Sequence, residues 1–226
     1  MIIARVELMR RKRNRVLLHF NSGEPIELAL EVLERHGLVR GDTIEPRTIR
    51  TLVEDDSKWR LRQAALHLLS YRTRGTEELR RRLKEKGFRP PLIKQCLETL
   101  AQQGLLDDRV FATSYARSHI SARPRGPFRI QRELRNKGIA PEVAKDAVEG
   151  VLEDEGITEL TLARKALTKW IGSQSRDTLN ALLIPRPPEG REKVRRRLYG
   201  FLTRRGFGPD ATRAALDEAE SLARQA

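Results

Sequence analysis

Two runs of the chain place arginine and lysine where an anion could be held, and they do so in register. Arg72, Arg74, Arg81 and Lys84 in RTRGTEELRRRLKEKGFRP (Arg72 to Pro90) return as Arg123, Arg125, Arg132 and Arg135 in RPRGPFRIQRELRNKGIAP (Arg123 to Pro141). Guanidinium forks match phosphate or carboxylate with two parallel hydrogen bonds, so the chemistry on offer is anion recognition. The arginines of the two Arg-x-Arg-Gly turns stand at a helix start, where backbone N–H groups also favour anions. The same arginines equally fit a turn made by glycine, with their side chains capping neighbouring carbonyls. A looser third run, REKVRRRLYGFLTRRGFGP, brings Arg196 and Arg204 and ends at Pro209.

Other reactive side chains do not assemble. Asp107 and Asp108 read as the start of a helix, Asp107 as its N-cap and Asp108 favoured by the dipole. His19, His36, His67 and His119 fall in four different elements without metal-ligand spacing, and Cys96 is the single cysteine. Neither a disulfide framework nor a cysteine-based zinc site is possible with one thiol, and Cys96 among Leu92, Ile93, Leu97 and Leu100 reads as a small buried hydrophobe. No phosphate loop and no His-Glu-x-x-His occurs, and no nucleophile has an obvious base. Trp59, Trp170 and Tyr71 are expected in packing, since the interleaved aromatics of single-strand binders are missing. No catalytic residue, cofactor or metal is expected, and the chain reads as a non-enzyme.

The elements that carry the arginines follow from periodicity. On a helical wheel Leu79 and Leu83 face one way, as do Ile130 and Leu134 and then Leu198 and Leu202. Arg81 and Lys84 lie opposite in the first run and Arg132 and Arg135 in the second, whereas Gly200 and Thr203 hold those places in the third. These stripes fit a solvated helix face; their repetition in register favours binding. Over 19 ungapped positions the first two runs share 8 residues, and Gly75/Gly87 and Gly126/Gly138 are each separated by 12 residues. Equal spacing of turn glycines points to duplication. Each copy sits in a three-helix unit too small to bury its own apolar face, so neighbours must share a core.

The expected fold is mainly α, a tandem array of three-helix repeats behind a small β-hairpin-containing segment. Residues 1–45 form that N-terminal β-containing extension, in which IIARVELM, RVLLHF and EPIEL read as a short meander. Residues 46–106 hold the first repeat with its lead-in helix, in which Thr76 is expected to cap the second helix. Residues 107–153 hold the second repeat and 154–226 the third. The third carries an insertion, residues 172–190, whose Pro and Gly cluster reads as a mobile loop.

Composition agrees. The chain has 226 residues, is 34% charged and only 5% aromatic, and carries a net charge of +14. Met1 to Ser57 balances at 10 basic and 10 acidic residues, while Lys58 to Leu106 has 12 against 4, so the excess lies in the repeating part. Such an excess draws polyanions, although it also serves as a solubilising surface. No apolar run approaches the roughly 20 residues that span a bilayer, and no secretory leader is recognisable. A cytoplasmic protein with no membrane partner is expected.

GLLDDRVFATSYA, with ALHLLSYRTRGTEELRRRLKEKGF and RGPFRIQRELRNKGIAPEVAKDAVE, resembles the RecX regulatory proteins, bacterial modulators of the RecA recombinase. The resemblance runs from about Lys58 to the C-terminus and weakens in the third repeat. It implies a non-enzymatic, elongated helical array that lies along the groove of the RecA–DNA filament; the chain is expected to act as a monomer. There it would modulate, most often inhibit, ATP hydrolysis and strand exchange in recombination, DNA repair and the SOS response. A RecA-independent helical protein that binds single- or double-stranded DNA directly is the competing reading. The insertion and the missing Arg-x-Arg-Gly turn depart from the family pattern and put the third repeat's contacts in question.

Overall fold

The structure is a computed structural model that describes every residue except 10, 11, 13, 123, 184–187, 225 and 226. Strands β1 (Ile3–Leu8), β2 (Arg15–Phe20) and β3 (Ile26–Ala29) form an antiparallel sheet in the order β1-β2-β3, with Val6 opposite Leu18 and Leu17 opposite Glu27. Alternation puts Val16, Leu18 and Leu28 on one face, where they share a core with Val32 and Leu33 of α1 (Leu30–Arg35) and Leu52 of α2 (Pro46–Tyr71). Arg15 reaches from β2 to buried Asp56 on α2 with bonds of 2.5 and 3.2 Å, and Asp56 also accepts the Ala29 N–H at 2.8 Å. The N-terminal sheet is thereby fastened to the first half of α2.

Three-helix units follow. The first is α2, α3 (Thr76–Glu85) and α4 (Pro90–Gln102); the second is α5 (Asp108–Ala122), α6 (Pro127–Asn136) and α7 (Pro141–Asp154). The third region departs from three helices and, among the described residues, holds five: α8 (Glu159–Ile171), α9 (Arg176–Leu183), α10 (Pro188–Arg204), α11 (Pro209–Asp217) and α12 (Ala219–Arg224). Each basic helix ends the same way. Gly87, Gly138 and Gly206 take φ of 85°, 86° and 84°, a left-handed conformation that glycine adopts without steric cost. The N–H of the next residue then closes on the carbonyl five positions earlier: Phe88 on Leu83, Ile139 on Leu134 and Phe207 on Leu202, at 3.1–3.3 Å. A proline opens the following helix in all three.

Contacts divide the chain into two units, Met1–Thr73 with Leu79–Leu105, and Arg74–Glu78 with Leu106–Ala226. Within the second unit one core runs from Phe111 to Ala223, so the second and third repeats share their interior as expected. The glycine turns are also couplers there. A Cβ on Gly206 would fall 2.3 Å from Arg129 Cβ, and one on Gly138 would fall 2.3 Å from Glu77 Cβ. The Gly126 and Phe128 N–H groups, at the start of α6, donate to the Arg205 and Gly206 carbonyls at 2.9 and 3.2 Å. Carbonyls in the turn that ends α10 therefore satisfy open N–H groups at the start of α6.

Three expectations change. Thr76 is the first residue of α3 rather than its cap; its N–H donates to Asp108 Oδ1 at 2.8 Å. Asp107 does cap α5, accepting the Arg109 and Val110 N–H groups at 2.7 and 3.2 Å, so of two adjacent aspartates one caps its own helix and the other a distant one. Tyr71 is not packed but 72% exposed, with its ring edge-on to His67 at a centroid distance of 4.9 Å. The 172–190 insertion is not a structureless loop: α9 occupies Arg176–Leu183 with Leu182 buried in the shared core, and residues 184–187 lie outside those described.

Candidate functional site

The expected buried faces of the second helices are observed. Leu79, Leu83, Ile130, Leu134, Leu198 and Leu202 are each fully buried. Opposite them, Arg81 and Lys84 on α3 and Arg132 and Arg135 on α6 are exposed. Lys84, Arg132 and Arg135 make no ion pair among the described residues, and Arg81 only approaches Glu85 at 3.9 Å. On α10 the pattern thins. Arg196 pairs with Glu192 at 3.3 Å, both well exposed, and exposed Arg204 folds back along the side-chain-free surface of Gly200.

The turn arginines behave differently. Arg74 pairs with Glu78 and Arg125 with Glu133 at 2.6 Å, and both carboxylates lie on the helix that the turn begins. Arg74 and Arg125 are thus internal ion-pair partners rather than projecting anion ligands. Arg72 donates to the Thr73 carbonyl at 3.0 Å, the carbonyl-capping role, and Arg123 lies outside the described residues. Glu133 also accepts from Arg129 Nε at 2.9 Å and from the Tyr115 hydroxyl at 3.0 Å. Burial works to raise the Glu133 carboxyl, but the bonds from Arg129 and Tyr115 and the nearby Arg125 hold it below its ordinary 4.5. Burial, reinforced by the bond to Glu133, pushes the Tyr115 phenol up to about 12. The Arg129–Glu133 pair was open to recognition from its i,i+4 spacing.

The remaining candidates are local. His36 lies 3.0 Å from Asp55 and His19 3.3 Å from Glu7, while His119 bonds the Tyr115 carbonyl at 2.9 Å. Among the described residues no group of three His, Cys, Asp or Glu side chains could hold a metal ion. Cys96 is half-buried and lines a cavity of about 280 Å³ with Leu61, Leu92 and Leu100; burial raises its thiol above the usual 9.0. Trp59 donates to Glu31 at 2.7 Å beside the N-terminal core, and Trp170 packs on Phe201 at 6.1 Å. No helix among the described residues is long and apolar enough to cross a membrane.

Fold and surface together define a protein of tandem three-helix repeats with outward cations on the second helices of the first two. Residues 62–100 match the family model "RecX, first three-helix domain" and residues 107–148 match "RecX, second three-helix domain". The regulatory protein RecX of Halorhodospira halophila is 36% identical over 160 residues, covering 71% of this chain and 88% of that one. That of Halalkalibacterium halodurans is 29% identical over 163 residues, which span 61% of its length. A crystal structure of regulatory protein RecX superposes with a TM-score of 0.70 at 24% identity over 96% of this chain, and the RecX of Lactobacillus salivarius with 0.57 over 74%. This chain belongs to the RecX family of regulatory proteins.

Proposed function

We propose that this protein binds along the filament that a RecA-type recombinase forms on DNA and lowers its ATP hydrolysis and strand exchange. It acts by occupancy, without chemistry of its own, in recombination and DNA repair in the cytoplasm. One observation carries the reading: Arg81, Lys84, Arg132 and Arg135 recur in register on solvent faces with little or no internal pairing among the described residues, while Arg74 and Arg125 of the turns are neutralised internally. Several weak contacts on one chain act at high effective concentration on a periodic target, which gives a reason for carrying the unit more than once.

The test is co-sedimentation with RecA filaments assembled on single-stranded DNA, together with the RecA ATPase rate. The wild type should pellet with filaments and slow hydrolysis. The joint variant R81E/K84E/R132E/R135E should lose both effects, by about a hundredfold or more in affinity, while keeping its helical circular dichroism. Full inhibition by that variant would remove these residues from the contact, and no enrichment of the wild type would end the reading. Naked-DNA binding that persists at physiological salt with RecA hydrolysis unchanged would instead favour a direct DNA binder.

A further inference from the structure

Phe128 is 57% exposed on the second position of α6, although the shared core of its unit lies on the other side of that helix. Phe128, Arg132 and Arg135 stand at i, i+4 and i+7 and so share one face. Its neighbours have been sorted by Glu133, which takes up Arg125 and Arg129 and leaves Arg132 and Arg135 without ion pairs. Glu133 is also the only acidic residue of α6. The outward face therefore consists of one phenyl ring and two uncompensated guanidinium groups.

The ring is also braced. Its backbone N–H is bonded to the Gly206 carbonyl at 3.2 Å, and its Cε2 lies 3.0 Å from where a Gly208 Cβ would stand. With glycine at 208 the ring edge rests against backbone, so little side-chain freedom remains to be lost on binding. An anchored aromatic beside arginine is the composition of an interface hot spot.

We infer that Phe128, Arg132 and Arg135 form a docking element for an acidic protein surface, with Phe128 filling an apolar pocket flanked by carboxylates that the two arginines engage. Charge complementarity fixes the sign of the occupant. The lone ring argues for protein rather than nucleic acid, because single-strand binders offer successive aromatic platforms. This inference rests on the filament reading and deepens it: the contact is with the filament's protein, not its DNA.

The experiment uses the full chain as wild type, Phe128→Ala and Phe128→Leu, against RecA filaments on single-stranded DNA and against the same DNA naked. Phe128→Ala should weaken filament binding roughly 30-fold, the loss of a hot-spot aromatic. Phe128→Leu, which still fills an apolar pocket, should recover most of it, and naked-DNA binding should be equal for all three. Wild-type strength in Phe128→Ala would overturn the docking element while leaving the filament reading standing. Loss of naked-DNA binding in both variants would overturn it in favour of base stacking. A wild type that ignores filaments would overturn the reading beneath it as well.

Discussion

Within α6 one carboxylate, Glu133, accepts hydrogen bonds from Arg125, Arg129 and Tyr115. Hydrogen bonds to charged groups contribute about 1.5–3 kcal/mol each, less where water reaches them. Glu133→Gln should therefore lower stability by roughly 2 kcal/mol, read from urea melts at neutral pH. Because the folded carboxyl lies below its ordinary 4.5, this contribution is complete above that value and fades as pH falls through the lowered one. The wild type should thus lose its advantage over Glu133→Gln in acid, and an unchanged difference at pH 3 would contradict the assignment. Tyr115, raised to about 12, has the opposite dependence: its contribution is whole below 10 and is lost as pH climbs towards 12. The outward cations were legible from the wheel because helix geometry sets their direction. Arg74 stands four residues before Glu78 and its pairing was open to the same i,i+4 reading; that of Arg125, eight residues before Glu133, was not, because its turn folds the side chain back by a route that spacing does not encode.

At the scale of elements, the glycine turns were legible because a left-handed helix end is local chemistry, and Gly-x-x-Pro announces it three times. The coupling those turns provide was not legible, since it joins residues 80 apart in sequence such as Gly126 and Gly206. Nor was α9. The prolines nearby dominate the composition and hide the spacing of Leu179, Leu182 and Leu183, and Ser175, whose hydroxyl accepts the Thr178 N–H at 3.4 Å, gave no separate signal. Two substitutions separate the coupler from ordinary helix propensity. Gly126 has φ −70°, which any residue tolerates, but a Cβ there would meet the Gly206 carbonyl oxygen at 2.0 Å. Gly126→Ala should therefore cost about 3 kcal/mol or more by forcing backbone apart. Gly150, inside α7 with nothing within 4 Å of its absent Cβ, should gain about 1 kcal/mol as Gly150→Ala. Thermal melts of the two variants should move in opposite directions; parallel shifts would leave the coupler without support.

At the scale of the whole molecule, each of the two units contains one of the two tryptophans, Trp59 beside the core of the N-terminal sheet and Trp170 beside the core of the second unit. Trp170→Phe leaves Trp59 to report on the first unit, and Trp59→Phe leaves Trp170 to report on the second. Their urea transitions should have different midpoints, whereas coincidence would mean that the chain melts as one cooperative body. The coupler also gives the chain a direction in time. As the polypeptide leaves the ribosome, α6 emerges with the amides of its first turn still waiting, and their carbonyl partners at Arg205 and Gly206 are synthesised only much later. The second block is thus finished only once the third has been made.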